Sequence, residues 1–309
     1  MYDIAVIGGG ASGFAAAVSA KMTCPQASVI ILEKMFRSGK KIAATGNGKC
    51  NLSNVDISEK NYHGSFNVME IIGNTPRGDE YFSDVYGVLC MTGSEGRNGG
   101  LYPRSNSANT VISAIRLKTE SLGIEERCDF EVTEIVQEKK CLKLLSKNGE
   151  IYCRRTIIAC GGYAGPAFGT DGGMLRILKN MGYKCSKICP AVAPLKVPAE
   201  SVRGLKGVRV KGSISAVCGG KTIRTESGEI QFNENNISGV CVFNLAYLFQ
   251  QYEGRLTLRA DLASDMSENE LFDYLHRIRT DRCGCVAEEL LSGFFIKNLA
   301  VWLIKNILS

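Results

Sequence analysis

The sequence predicts an α/β protein: a parallel sheet with a β-α-β start, followed by a smaller antiparallel β module that carries a helical insert. Two apolar, β-branched runs at 4–7 and 29–32 enclose an alanine-rich segment of strong helix formers. Residues 192–230 alternate short β-type runs with glycine turns, and a helical spacing of apolar residues begins at Asp261. The composition, 45% hydrophobic and 22% charged, excludes collagen, a coiled coil and a chain that is disordered throughout.

The first predicted strand covers residues 2–7 and ends in the run Gly8-Gly9-Gly10-Ala11-Ser12-Gly13. Residues 14–21 then predict a helix, and residues 28–32 predict a second strand that ends at Glu33. Both strands are continuous apolar runs, which is typical of a parallel sheet that is covered on both faces.

The following residues alternate helical and strand-like segments. A polar stretch without periodicity covers residues 34–54, and connections of that length are usually functional or disordered. Further elements are expected as a helix near 107–122, strands at 130–136, 141–145 and 156–160, and a helix at 171–181.

Charge and cysteine usage exclude several classes of function. Lys and Arg number 37 against 31 Asp and Glu, and this net charge of +6 is spread along the chain, so no nucleic-acid partner is expected. The 13 cysteines include no Cys-x-x-Cys pair and only 2 histidines are present, so no metal site is expected. Scattered free thiols favour a reducing, cytoplasmic location, and no apolar run is long enough to predict a membrane span.

The glycine-rich run has the spacing Gly8-x-Gly10-x-x-Gly13, follows a predicted strand and opens a predicted helix. Glu33 follows the run by twenty residues, at the end of the second strand. This combination predicts a dinucleotide site: Gly8 permits the turn, Gly10 lets a diphosphate approach the backbone, and Gly13 allows close helix packing. The competing interpretation is a glycine turn beside an exposed glutamate.

The loop after Glu33 favours a flavin over a nicotinamide dinucleotide. Residues 44–54 are mostly small residues and amides, whose backbone can lie flat against a planar ring that forms hydrogen bonds. Cys50 has no second cysteine at short spacing, so we expect it to line the pocket and not to serve a dithiol mechanism.

Several of these motifs closely resemble the aminoacetone oxidase-like FAD-binding family, which includes BaiN-type bile-acid reductases. The matching segments are 6–13, Leu32-Glu33-Lys34, Gly39-Lys40-Lys41 and 45–54, with further matches at 101–105, 157–162, 190–195 and 228–232. The resemblance implies a Rossmann-like FAD-binding domain, FAD as cofactor, NAD(P)H as a candidate electron donor and a small-molecule substrate. Together with the motif, it implies the cofactor-binding residues Gly8, Gly10, Ala11, Ser12, Gly13, Glu33, Lys34, Lys41, Thr45, Gly46, Gly48, Asn51, Val132, Cys160 and Gly161.

Composition shifts near residue 190, which predicts three parts of the chain. They are an FAD-binding domain over 1–190, a β-rich module over 191–260 that caps the flavin and selects the substrate, and a helical insert over 261–309. The insert ends in the strongly apolar stretch 294–308, whose packing partner we expect to be missing from this chain.

Two departures from the family pattern affect these expectations. Cys160 stands where the family usually has threonine. Family members also continue further, with a segment that returns to the cofactor and helps to stabilise the negative charge of reduced flavin. The chain by itself is therefore expected to end early and to bind FAD weakly.

The leading interpretation is an FAD-dependent oxidoreductase that transfers hydride between a small organic substrate, or NAD(P)H, and flavin N5. Two alternatives stay open. One is a truncated, catalytically impaired remnant that binds nucleotides, and the other is a flavin-dependent RNA-modifying protein, suggested by the charge of +6. The sequence assigns neither a catalytic residue nor an oligomeric state.

Overall fold

The computed structural model describes residues 1–62, 67–92 and 99–307. The chain divides into two compact units, Met1–Cys185 (unit 1) and Ser186–Ser309 (unit 2). The α/β class predicted from the sequence is confirmed, with a parallel β-α-β start in unit 1 and an antiparallel sheet in unit 2.

Unit 1 is built around a mixed sheet. Its strands are β1 (Tyr2–Ile7), β2 (Val29–Leu32), β3 (Ser53–Asn54), β4 (Cys90–Thr92), β5 (Gly100–Pro103), β6 (Glu125–Arg127), β7 (Glu134–Gln137), β8 (Leu142–Ser146) and β9 (Gly149–Ile158). The main sheet has the order β6-β2-β1-β9-β8-β7. Strands β6, β2, β1 and β9 pair in parallel, whereas β9 pairs with β8, and β8 with β7, in antiparallel fashion. A small antiparallel sheet has the order β3-β5-β4.

Both faces of the main sheet are covered, as the apolar strands predict. Ala5 and Ile7 belong to one core cluster, whereas Val6 belongs to the cluster on the opposite face. The helices of unit 1 are α1 (Ala11–Thr23), α2 (Lys40–Ala44), α3 (Met69–Ile72), α4 (Gly78–Tyr86), α5 (Ala108–Ser121) and α6 (Gly173–Asn180). Helices α1 and α5 contribute Phe14 and Val111 to the cluster that contains Val6.

Three expectations for unit 1 need correction. The strand predicted at 130–136 begins only at Glu134, and the strand predicted at 156–160 begins already at Gly149 because its first half pairs with β8. The polar stretch 34–54 contains the short helix α2, which its glycines and serines obscured. Strand β6 has the sequence Glu-Glu-Arg, so it carries no apolar pattern and only its pairing with β2 defines it.

Unit 2 consists of an antiparallel sheet with helices. Its strands are β10 (Leu195–Lys196), β11 (Arg209–Cys218), β12 (Lys221–Phe232), β13 (Asn236–Ser238) and β14 (Thr257–Asp261), in the order β10-β13-β12-β11-β14. Its helices are α7 (Val240–Phe243), α8 (Ala246–Gln251), α9 (Glu268–Asp281), α10 (Ala287–Leu290) and α11 (Lys297–Ile307). Gly219 and Gly220 join β11 to β12 with φ values of 55° and 81°, as a two-residue hairpin turn with left-handed residues requires.

The apolar end of the chain has a packing partner within unit 2, contrary to the sequence-based expectation. Leu299 of α11 is 1% exposed and belongs to the core cluster that contains Leu205, Ile230 and Leu245. Trp302 and Leu303 pack against the same cluster. The sequence could not reveal this because the partner residues lie on strands and helices about fifty to a hundred positions earlier.

Candidate functional site

The glycine-rich run joins β1 to α1, and each of its glycines meets a different constraint. Gly8 has a φ of 109°, and a Cβ built on it would lie 2.7 Å from the Ala159 carbonyl oxygen. A Cβ on Gly13 would lie 1.8 Å from the Gly8 carbonyl oxygen. A Cβ on Gly10 would meet nothing within 4 Å. Packing therefore requires Gly8 and Gly13, whereas Gly10 keeps a space open in front of the helix.

The N-terminus of α1 is not capped by a side chain and has no acidic residue in its first turn. Phe14 N–H donates to the Gly10 carbonyl oxygen at 3.0 Å, which is the first hydrogen bond of the helix. Within the described residues, the preceding N–H groups of Ala11, Ser12 and Gly13 have no hydrogen-bond partner. Unpaired N–H groups at the positive end of a helix of 13 residues form a site for an anion.

Glu33 follows β2 directly, and its carboxylate faces the glycine-rich run. The Gly9 N–H donates to Oε2 and the Met35 N–H donates to Oε1, each at 2.8 Å. An ionised carboxylate has about four acceptor positions, so about two stay available for a ligand hydroxyl. The two backbone N–H groups also fix the side chain beside the open space at Gly10.

A cavity of about 800 Å³ extends from this run, and all of its lining residues belong to unit 1. A volume of this size is typical of sites for cofactors and other small molecules. Most of the cofactor-binding residues predicted from the sequence line it, namely Gly8, Gly10, Ala11, Ser12, Glu33, Lys34, Lys41, Thr45, Asn51, Val132, Cys160 and Gly161. The structure does not place Gly13, Gly46 or Gly48 on the cavity wall.

Gly13, Gly46 and Gly48 instead shape the backbone behind the wall. Gly13 is buried against Gly8, and a Cβ on Gly46 would lie 2.8 Å from the Asn51 backbone nitrogen. Gly46 and Gly48 have φ values of 55° and 84°, within a turn that follows α2. Their left-handed conformations bring Thr45 and Asn51 to the same cavity.

Cys50 has a φ of 61°, which is uncommon for a residue with a Cβ, and its side chain is 4% exposed. Burial raises the pKa of the Cys50 thiol above its ordinary value, although a hydrogen bond with Thr45 acts in the opposite direction. Cys50 lines the cavity as expected, and it does so as a neutral thiol at neutral pH.

Lys34 lines the cavity, but its ammonium group is already paired with carboxylates. Its Nζ lies 2.9 Å from Asp171 Oδ2 and 3.9 Å from Glu131 Oε1. The hydrogen bond from Lys34 is the main cause that holds the pKa of the Asp171 carboxyl below its usual range. Asp171 lies in a segment, 161–172, that we call the glycine loop wall because its two ends, Gly161 and residues 168–172, line the cavity.

Lys41 also binds the glycine loop wall. Its Nζ donates a hydrogen bond to the Ala164 carbonyl oxygen and another, of 2.9 Å, to Thr170 Oγ1. The two lysines predicted to bind the cofactor therefore donate hydrogen bonds to other residues of the protein. The charge and hydrogen bonds of both are directed at one loop, more than a hundred residues away in the sequence.

Val132 and Cys160 lie on the same cavity as the helix N-terminus. Val132 precedes β7 and is 7% exposed, and within the described residues neither its N–H nor its carbonyl has a hydrogen-bond partner. Burial raises the pKa of the Cys160 thiol, and the nearby charge of Lys34 offsets part of this increase. Cys160 is therefore a neutral thiol at the end of β9 at neutral pH.

The sequence did not single out several other residues of the cavity wall. Arg37, Lys40 and Arg176 line it, and within the described residues their side chains form no hydrogen bond or ion pair. Arg37 and Lys40 lie 5.6 Å and 5.2 Å from the centre of the Phe36 ring. Arg37 and Lys40 belong to the long polar stretch, whose length already indicated a functional segment. Nothing in the sequence connects Arg176 with residues of the first thirty positions.

Two absences hold for the part of the chain that the structure describes. No group of three or more His, Cys, Asp and Glu side chains is arranged to hold a metal ion. The helices there are too short or too polar to cross a membrane.

Comparisons with known proteins give one family and a small set of relatives. The model of the HI0933-like protein Rossmann domain matches residues 2–291. A 3-dehydro-bile acid delta(4,6)-reductase of Clostridium scindens is 31% identical, over 97% of this chain and 74% of the relative. A ribosomal RNA dihydrouridine synthase of Haemophilus influenzae is 23% identical, over 80% of this chain and 62% of that relative. Among solved structures, the quinol fumarate reductase of Escherichia coli aligns with a TM-score of 0.46 and 14% identity, over 68% of this chain and 43% of that one.

Proposed function

Because the chain belongs to the HI0933-like Rossmann-domain family, we propose that it binds FAD in the cavity of unit 1 and acts as an FAD-dependent oxidoreductase. The family match and the 31% identity confirm the resemblance to BaiN-type flavoproteins that the sequence predicts. The proposed reaction is hydride transfer between a small organic substrate, or NAD(P)H, and flavin N5. We propose a cytoplasmic location for it, with a small molecule as its substrate.

The observation that carries the proposal is the open space in front of the uncapped α1 N-terminus, beside a fixed carboxylate. A Cβ on Gly10 would enter this space without touching the protein, so the glycine is not explained by packing. Glu33 is held at the edge of the same space by the Gly9 and Met35 N–H groups. An anion flanked by a sugar with free hydroxyls satisfies both features.

The residues of unit 1 fit the successive parts of an extended FAD. The N–H groups of Ala11 and Ser12 would bind the diphosphate, and the remaining acceptor positions of Glu33 would bind ribose hydroxyls. The unpaired N–H and carbonyl of Val132 would bind the adenine edge.

At the other end of the cavity, Thr45 and Asn51 would line the ring system, on a turn that is held open by left-handed residues. When bound, the flavin supplies the site that accepts or donates hydride. The residues around it orient the ring and exclude water, and the raised pKa of Cys50 keeps that wall uncharged.

The substrate is proposed from the relatives' names and from the charge distribution. One relative is named a bile acid reductase, and two are named ribosomal RNA dihydrouridine synthases. The higher identity belongs to the bile acid reductase, and the chain's charge of +6 is not clustered in the sequence, so we propose a small organic substrate. RNA retention that weakens steeply as salt rises would instead support the RNA-modifying alternative.

The test is titration of the purified chain with FAD, followed by flavin absorbance and fluorescence. We expect saturable binding of one FAD per chain, and we expect anaerobic NADH or NADPH, added separately, to bleach the bound flavin. A Glu120→Gln variant is the matched control, because Glu120 is an exposed carboxylate of α5 that does not line the cavity. Absence of saturable binding, even at millimolar FAD, would refute the proposal.

A further inference from the structure

The glycine loop wall, residues 161–172, is a closed loop with few contacts of its own to a core. Its ends meet where the Gly172 N–H donates to the Gly162 carbonyl oxygen at 3.1 Å. Inside it, the Thr170 hydroxyl donates to the carbonyl oxygens of Ala164 and Gly165. Most of the side chains between these ends are exposed. The position of such a loop depends on its contacts with neighbouring segments of the fold.

The loop packs against the aliphatic stems of Lys34 and Lys41 and accepts hydrogen bonds from their ammonium groups. A Cβ on Gly169 would lie 3.1 Å from Lys34 Cε, and a Cβ on Gly165 would lie 3.5 Å from Lys41 Cε. Both glycines have left-handed φ values, of 91° and 80°. The loop therefore lies directly on the two lysine stems, and its glycines allow this close approach.

The two ammonium groups add polar bonds to this packing. Lys34 forms an ion pair with Asp171 near the C-terminal end of the loop. Lys41 donates hydrogen bonds to the Ala164 carbonyl and to the Thr170 hydroxyl. Asp171 also accepts from the Gly173 N–H at 3.0 Å, which ties the pair to the start of α6. Each lysine belongs to the segment that follows β2, and residues of this segment and of the loop both line the cavity.

We infer that Lys34 and Lys41 are positioning residues that latch the glycine loop wall over the cavity and so slow the release of a bound dinucleotide. The Lys34 ammonium group is paired with carboxylates, and the Lys41 ammonium group donates to the Ala164 carbonyl and the Thr170 hydroxyl, so both are poorly placed to bind a diphosphate. Arg37, Lys40 and Arg176 line the same cavity without an ion pair among the described residues, and they are the cations available for that role. The inference rests on the proposed function for the identity of the ligand, but not for the state of the loop.

The first arm of the test measures the loop without any ligand. Hydrogen exchange of peptides covering 161–172 is compared in the wild-type chain, Lys34→Met, Asp171→Asn and Lys41→Met. Lys139→Met is the control, since Lys139 is an exposed cation between β7 and β8 that does not line the cavity. We expect faster exchange in the three latch variants only. Lys34→Arg keeps a charged donor for Asp171 and should restore slow exchange, which a loss of overall stability would not do.

The second arm measures the release rate of FAD by dilution or displacement. The Lys34–Asp171 pair is partly exposed, so its loss should raise the release rate constant about two- to fivefold. The double variant Lys34→Met with Asp171→Asn should be no faster than Lys34→Met, because Lys34→Met already lacks the pair with Asp171. Lys41→Met removes two hydrogen bonds from a charged donor and should raise the rate by about tenfold or more.

Two results would overturn the inference. One is unchanged exchange of the loop in Lys34→Met and Lys41→Met. The other is faster exchange of the loop with an unchanged rate of FAD release. Failure of the wild-type chain to bind FAD would instead count against the proposed function, and the exchange arm would still decide whether the lysines latch the loop.

Discussion

Two alanine substitutions in the glycine-rich run should separate the fold of unit 1 from its binding of a dinucleotide. Gly13→Ala places a Cβ 1.8 Å from the Gly8 carbonyl oxygen, whereas Gly10→Ala places one in open space. Neither position has a positive φ, so the backbone itself tolerates alanine at both. The main difference between the two variants is therefore what the new methyl group meets.

The magnitude for Gly13→Ala follows from the contact. An ordinary Cβ contact begins at 3.4 Å, so α1 and the Gly8 turn must separate by more than an ångström. Overpacking usually costs about 1–3 kcal/mol, and the upper end applies because the obstructing atom is backbone. Alanine regains about 1 kcal/mol of helix propensity, so we expect a net loss of about 2 kcal/mol in the free energy of unfolding.

For Gly10→Ala, the expected loss is in binding. Alanine is a poorer N-cap than glycine, which lowers the free energy of unfolding by about 0.5 kcal/mol. The methyl group would displace a diphosphate from at least one N–H donor, and a hydrogen bond to a charged group is worth about 1.5–3 kcal/mol. The dissociation constant for FAD should therefore rise about 10- to 150-fold.

Urea unfolding followed by far-UV circular dichroism measures the first loss, and FAD titration measures the second. Trp302 is the chain's one tryptophan and lies in unit 2, so its fluorescence reports that unit in the same samples. The reasoning would be refuted if Gly13→Ala were as stable as the wild-type chain. It would also be refuted if Gly10→Ala bound FAD as tightly as the wild-type chain.

Three further substitutions and modifications test other parts of the site. Glu33→Gln should weaken FAD binding about tenfold or more by replacing an acceptor with an amide donor, while Glu120→Gln, at an exposed position outside the cavity, should leave the dissociation constant unchanged. Lys34 lowers the pKa of Asp171, so Asp171→Asn should lower the free energy of unfolding fully above about pH 4, where an unfolded aspartate is ionised. This difference should disappear as pH falls through the lowered pKa of Asp171 in the folded chain. Urea unfolding at several pH values measures it, and a loss that is independent of pH would contradict the prediction. Partial burial raises the pKa of Cys160, so peptide mapping should show slower alkylation there than at the exposed Cys24, with further protection by FAD. Equal rates at the two thiols would argue against a half-buried, cofactor-facing Cys160.

The sequence predicted the start of unit 1 well because the information there is local. The run of β-branched residues, the glycine spacing and the helix formers all lie within the first 33 positions, and the structure has β1, α1 and β2 in that order. The antiparallel module was predictable for the same reason, since Gly219-Gly220 marks its longest hairpin.

Other elements depended on contacts that no local pattern records. Strand β6 consists of three charged residues and exists as a strand through its parallel pairing with β2. Val132 stands outside β7, where its N–H and carbonyl are left unpaired, although its sequence continues the strand pattern. The apolar end of the chain found its partner in the core of unit 2, and no spacing in the sequence could identify that partner.

The sequence by itself determined the β-α-β start, the need for glycine at positions 8 and 13, and the acidic residue at the end of the second strand. These features lie within the first 33 positions, and the φ of 109° at Gly8 by itself favours glycine there. Only the tertiary structure decided what Lys34 and Lys41 do, because their partners lie more than a hundred positions away on the glycine loop wall. A charged side chain forms hydrogen bonds with the acceptors that the folded chain brings within reach, and separation along the sequence does not determine which acceptors those are.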